Sequence, residues 1–297
     1  MSFPHSAQRR RLIGLLAASC LPKAHAARPR VVSVQTEPSL AHGRALIDAA
    51  FRAAGFAATL VEAPVTTEPH NLHEMVAGRI QVTLMPPTLP RLSMVHEGRM
   101  RLIGVPLERG LLGWRTPFLL HDRQDITTDV KSLADLHSLI IGQGAGWGDA
   151  EIYRRAGLIT REIQAWRNGE FADQMRTGVI DLFPFGLEES ISFFLPHFRK
   201  HRPELALDER LLLRYPWYRL IWVTAHPDAD DIYHALQEGF DAIIDSGEFE
   251  SVWNEHRRLP SVEHLGRRRV IDLANPFYGR DIVPERYRHL LLEPLNA

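Results

Sequence analysis

The stretch with the most chemical promise is Leu139 to Ala150, LIIGQGAGWGDA. Glycines stand at alternate positions 142, 144, 146 and 148, after a short apolar run and before a helix-like pattern. A strand that enters a glycine-rich bend and then a helix N-terminus presents free backbone N–H groups, which favour negative charge or a carbonyl. Around Gly144 and Gly146, Trp147 adds a flat apolar face with one N–H donor. Such a loop suits a small polar ligand. It equally suits a tight turn that only packs helix on strand. It does not suit a nucleotide. The G-x-G-x-x-G fingerprint needs a third glycine where Trp147 stands, and no Gly-Lys-Ser/Thr ending follows. No cofactor is expected.

Other reactive side chains are sparse. His70 and His73 lie about a helical turn apart, but a metal site needs a third ligand and outer support, and none is near in sequence. No metal is expected. The run 267–269 of three arginines reads as the solvated start of a strand. Cys20 is the only cysteine. If the chain is cleaved after Ala26, no disulfide and no thiol nucleophile remain.

The elements that position the glycine loop alternate in type. Val31 to Gln35 reads as a strand, Ser39 to Ala54 as a helix stopped by Gly55, and Ala58 to Glu62 as a second strand. A short helix from Leu72 and a strand from Ile80 to Met85 follow. This βαβαβ order implies an α/β layer fold with parallel strands. After an extended segment, Gly110 to His121, the pattern restarts. Ser132 to Asp135 looks like a capping box, and strands are expected at 138–141, 163–166 and 180–183, with helices at 148–156 and 170–176. Two more strands fall at 211–214 and 218–224. The clearest helix is 229–245, with Ile232, Leu236, Phe240, Ile243 and Ile244 at helical spacing.

The first residues read as an export signal. Arg9 to Arg11 precede the apolar run Leu12 to Leu21, and Ala24-His-Ala26 offers a small-x-small cleavage site. The paired arginines and Lys23 hint at the twin-arginine route. A lipid-anchored Cys20 is the less favoured alternative. The chain has 35 Lys+Arg and 36 Asp+Glu. Residues 1–26 hold four basic and no acidic side chains, so their removal takes the formal charge from −1 to −5. A mildly acidic exported protein is a poor nucleic-acid binder.

Several segments together resemble a type II periplasmic solute-binding protein of extracellular solute-binding family 3, which serves amino-acid ABC transporters. They are the export signal followed by a strand and Gln35-Thr-Glu37, the Thr88-Leu-Pro-Arg91 segment like the family's T-x-x-R, and the Ser132 to Leu136 start of a second lobe. Gly178-Val-Ile-Asp181, like the family's G-x-x-D, and the helix 229–245 complete the set. Phe183-Pro-Phe-Gly186, Leu212 to Pro216 and Arg268 to Pro276 are similar to a stand-alone, uncharacterised subgroup.

The resemblance implies a two-lobed α/β fold, each lobe a mainly parallel sheet flanked by helices, with the ligand in the cleft between. Lobe 1 would comprise 27–120 and 225–297, and lobe 2 would comprise 121–224. Arg91 would clamp a ligand carboxylate with its guanidinium fork, and Thr88 would add a hydroxyl. Glu37 lies where the cleft should open, as a ligand contact or a turn carboxylate. Arg115 is either a ligand contact or a salt bridge at the hinge. Phe185 and Gly186 fall in the lobe 2 wall. Gly186 stands where amino-acid binders carry an ammonium-binding aspartate, and Glu188 or Glu189 could substitute. The function implied is capture of a small, carboxylate-bearing, amino-acid-like ligand in the periplasm. A monomer would close its hinge and present the ligand to an inner-membrane permease. The alternatives are a sensor's input protein and a dehydratase-like enzyme using Glu37 or Glu188 as its acid/base.

Overall fold

The computed structural model describes residues 30–64, 66–258, 265 and 268–292. The expected export signal, Cys20 and Arg267 lie outside them. The first block is β1 (Arg30–Gln35), α1 (Ala41–Ala53), β2 (Ala58–Ala63), α2 (Glu68–Val76), β3 (Val82–Met85), α3 (Leu89–His96) and β4 (Met100–Ile103). The second is β5 (Trp114–Leu120), β6 (Ile140–Gly144), α4 (Asp149–Arg155), β7 (Ile159–Ile163), α5 (Phe171–Arg176) and β8 (Phe183–Gly186). It continues as α6 (Leu187–Glu189), a π-turn, α7 (Leu195–His201), β9 (Leu205–Leu207) and β10 (Leu211–Arg214). The chain ends with β11 (Leu220–Thr224), α8 (Asp230–Asp245), α9 (Glu248–His256) and β12 (Arg269–Asp272).

The strands form two main sheets, one per lobe. The first has the order β2-β1-β3-β11-β4, and the second the order β12-β10-β5-β8 with β9 beside β5. β6 and β7 pair apart from these. Pairing is mixed, with less parallel content than the βαβ pattern suggests. β1 runs parallel to β2 and β3, but β11 is antiparallel to both its neighbours. β5 is antiparallel to β8, β9 and β10. The reason is connectivity: each sheet takes in a strand from a segment that has just crossed between lobes.

Lobe boundaries therefore fall inside those segments. β5, within the 27–120 expected for lobe 1, belongs to the second sheet, and β11, expected in lobe 2, belongs to the first. The tail divides as well. β12 pairs in parallel with β10, while Val283, Tyr287 and Leu290 return to the lobe 1 core.

Each core follows from its sequence pattern. Val32 and Val34 on β1, and Val82 and Leu84 on β3, are fully buried under α1 and α8. The stripe Ile232, Leu236, Phe240 and Ile243 faces that sheet with no exposure. Each such side chain contributes about 1.5–3 kcal/mol on burial. Lobe 2 is filled by Phe118, Phe171, Phe183, Phe185 and Phe198. The two crossing segments touch at Gly113, whose carbonyl accepts from the Tyr215 N–H at 3.1 Å. A Cβ on Gly113 would run into the Tyr215 carbonyl.

Candidate functional site

A cavity of about 730 Å³ opens between the lobes. Lobe 1 supplies Glu37 after β1, Glu68 and Asn71 from α2, and Pro86, Thr88 and Arg91 at the β3–α3 junction. The crossing segments supply Leu112, Arg115, Trp217 and Arg219. Lobe 2 supplies residues 145–149, then Glu162, Gln164, Trp166 and Arg167 around the end of β7, and Glu189 and Phe194 beyond β8.

The structure brings five of the nine expected residues into this wall through their side chains: Glu37, Thr88, Arg91, Arg115 and Trp147. Thr88 is the N-cap of α3, accepting from the Arg91 N–H, and its hydroxyl donates to Glu68 Oε1 at 2.5 Å. Arg91 is buried, donates to the Pro86 carbonyl at 2.9 Å and lies 3.2 Å from Glu68 Oε1. Burial pulls its pKa below the usual arginine value, opposed by Glu68. Glu37 reaches across the cleft to Arg167 at 2.6 Å and accepts from Ser39 at 2.8 Å. Burial raises its carboxyl, but the two hydrogen bonds and the guanidinium charge outweigh that and hold it below the ordinary value.

Four expectations change. The amides of the glycine loop are not free: Ala145 N–H donates to the Ile163 carbonyl, Gly146 N–H to Glu162 Oε2 at 2.9 Å, and Trp147 N–H to the Gly144 carbonyl. Gly146 still lines the cavity, whereas Gly144 leaves room for the Trp147 ring packed against it. Phe185 is wholly buried in the aromatic core, 4.3 Å from the Phe194 centroid, and does not line the cavity. Gly186 is also off the wall. Its missing Cβ makes space for Glu189, whose Oε2 would lie 2.9 Å from one. Glu189 thus brings to the wall the carboxylate that position 186 lacks. Lastly, Arg268 is buried, not solvated. Its guanidinium donates to Thr116 Oγ1 at 2.8 Å and to the Asp208 and Leu211 carbonyls, tying β12 to its sheet.

Arg115 is held as a hinge salt bridge. Its guanidinium pairs with Asp149 and bonds Tyr215 Oη at 3.1 Å, while Tyr215 donates to Asp149 and lies 3.1 Å from the Tyr153 hydroxyl. Burial opposes the Arg115 charge, but Asp149 and the other acidic partners outweigh it and push its pKa up. Asp149 opens α4, so the helix N-terminus already faces a carboxylate of this chain.

A second buried chain runs behind the wall. Arg219 pairs with Glu108 at 2.5 Å and Glu189 at 2.8 Å. Glu108 lies 3.3 Å from His42 Nε2, and His42 Nδ1 accepts from Arg257 at 2.9 Å. Arg257 in turn lies 3.0 Å from Glu188. These contacts join the end of α9 and β11 in lobe 1 to α6 in lobe 2.

Sequence reading missed Glu68, Asp149, Trp217 and Arg219. Two had a signal. Arg219 is a lone charge in the apolar run from Tyr215 to Thr224, and a charge buried in such a run needs a partner. Asp149 follows directly on the glycines. Glu68 and Trp217 carry no local mark.

No family model and no curated protein matches this sequence. Solved structures do. The VFT2 domain of BvgS from Bordetella pertussis, a double mutant, matches with a TM-score of 0.56 at 12% identity, covering 77% of this chain and 93% of that one. An ancestral arginine-binding protein bound to glutamine gives 0.53 at 13%, over 77% and 98%. The GluR0 ligand-binding core from Nostoc punctiforme, in complex with L-glutamate, gives 0.51 at 13%, over 77% and 99%. With its two sheet-and-helix lobes, the chain has the two-lobed periplasmic-binding-protein type II fold.

Proposed function

We propose that the chain is an exported solute-binding protein. It captures a small, amino-acid-like molecule between its lobes, with a carboxylate or similar acceptor facing Arg91. It then presents the closed form to an inner-membrane ABC permease. It acts as a monomer in the periplasm after its signal is removed. The observation that carries this reading is the cavity itself, whose walls come from both lobes and whose rim is bridged by Glu37 and Arg167. A second reading, in which the closed form is read by a sensor, is supported by the likeness to the BvgS domain.

An enzymatic role is disfavoured by the state of its candidate acids. Glu37 is held ionised by Arg167, which suits a latch better than a proton donor. Glu188, pushed up to about 7 by burial, has the pKa of an acid/base but lies outside the cavity wall.

Thermal-shift and native mass spectrometry screens of amino acids and small carboxylates test the reading. A hit should lose at least about tenfold in affinity in Arg91→Ala. A hit whose affinity is unchanged in that variant contradicts the placement.

A further inference from the structure

The charges lining the cavity are already matched to one another. Its arginines are Arg91, Arg115, Arg167 and Arg219, and no lysine or histidine joins them. Each faces a carboxylate of the same wall: Glu68 at 3.2 Å, Asp149, Glu37 at 2.6 Å and Glu189 at 2.8 Å respectively. The remaining wall carboxylate, Glu162, pairs with Arg154 just outside, at 2.5 Å. Behind the wall, Arg219 is shared by Glu108 and Glu189, and Arg257 faces Glu188, whose carboxyl burial pushes up to about 7; with Glu188 protonated, two guanidiniums there face two carboxylates, and no charge of either sign is spare. Between the charges lie flat apolar faces. Trp147 and Trp166 meet edge to face at 4.6 Å, and Trp217 lines the floor.

A site built to hold a net anion leaves a guanidinium free, and one built for a net cation leaves a carboxylate free. Neither is found in this wall among the described residues. A charged guest would enter a closed, poorly hydrated space without a countercharge, and the desolvation of that charge would go uncompensated. A zwitterion avoids this. Its carboxylate can exchange into the Arg91–Glu68 pair on one side while its ammonium takes up the displaced Glu68 on the other.

We infer that the guest carries no net charge: it is a zwitterion with one carboxylate and one ammonium, its apolar part lying against Trp147 and Trp166. This rests on the solute-binding reading above and narrows it, excluding acidic and basic amino acids and dicarboxylates.

The test is calorimetric titration of the protein, freed of any co-purified small molecule. The probes are neutral amino acids together with their deaminated acids and decarboxylated amines, plus glutamine against glutamate. The tightest binders should all be net-neutral, by at least about tenfold over their charged counterparts. A charged member binding tightest overturns the inference while leaving the solute-binding reading intact. No binding by any probe contradicts both. Glu68→Gln should free Arg91 and shift preference toward the deaminated acids by about tenfold or more. Glu37→Gln should do the same by freeing Arg167, which lines the cavity and pairs with Glu37 at 2.6 Å, and serves if the first variant does not fold. A folded variant with an unchanged ranking overturns the inference.

Discussion

Asp149 fixes where Arg115 points, and the two form a unit that neither can leave. Both are buried, and Tyr215 and Tyr153 close the remaining contacts. Asp149→Ala would leave the guanidinium only the more distant Glu189, at 3.9 Å, and should cost about 3 kcal/mol, read as a lower urea midpoint. The pH response belongs to the chain behind the cavity. Burial, reinforced by Arg257, pushes His42 down to about 4. The unfolded chain then binds more protons between its ordinary value of 6.5 and about 4, so stability falls as pH drops through that window. Glu188 has the opposite sign. Burial pushes it from 4.5 up to about 7, so the folded chain holds the extra proton and stability falls as pH rises between those values. The two effects offset in the wild type, whose stability should be nearly flat across the overlap. Glu188→Gln removes one of them, and unfolding titrations should then show stability rising by about 2 kcal/mol as pH goes from about 4.5 to 6.5.

At the scale of elements, the crossing segments set what the lobes can do. Gly113 lets them lie in contact, and Gly113→Ala should cost about 1–3 kcal/mol by pushing its Cβ at the Tyr215 carbonyl. The same level shows what the sequence could reveal. Helices with an apolar stripe were legible: 229–245 was expected and α8 spans 230–245. Strands carried by β-branched runs, such as β1, were legible too. β7 was expected at 163–166 but lies at 159–163, because Ile159-Thr-Arg-Glu is largely exposed and shows no apolar alternation. β8 was expected at 180–183 but lies at 183–186 and passes through Pro184, which usually argues against a strand. Here Pro184 faces Pro117 on β5, so both missing donors fall at one place in the ladder. In the site, Thr88, Arg91 and Glu37 were legible from spacing and family likeness. Their partners were not, since which carboxylate meets which arginine is decided by long-range contacts such as Arg219 with Glu108.

For the whole molecule, the Glu37–Arg167 bridge joins the two lobes at the cleft rim. As a pair with a largely exposed arginine it should be worth at most about 1 kcal/mol, yet that is enough to shift an open–closed equilibrium several-fold. Arg167→Ala should therefore raise the radius of gyration of the ligand-free protein in small-angle scattering, and added ligand should reverse the change. A ligand at a hundred times its dissociation constant should also stabilise the protein by about 2.7 kcal/mol. The most direct measurement is a crystal structure with the first small molecule found to bind. The account predicts density filling the space between the lobes, with an acceptor atom within hydrogen-bond distance of the Arg91 guanidinium and apolar atoms against Trp147. A molecule bound outside that space, or inside it with Arg91 turned away, would contradict it.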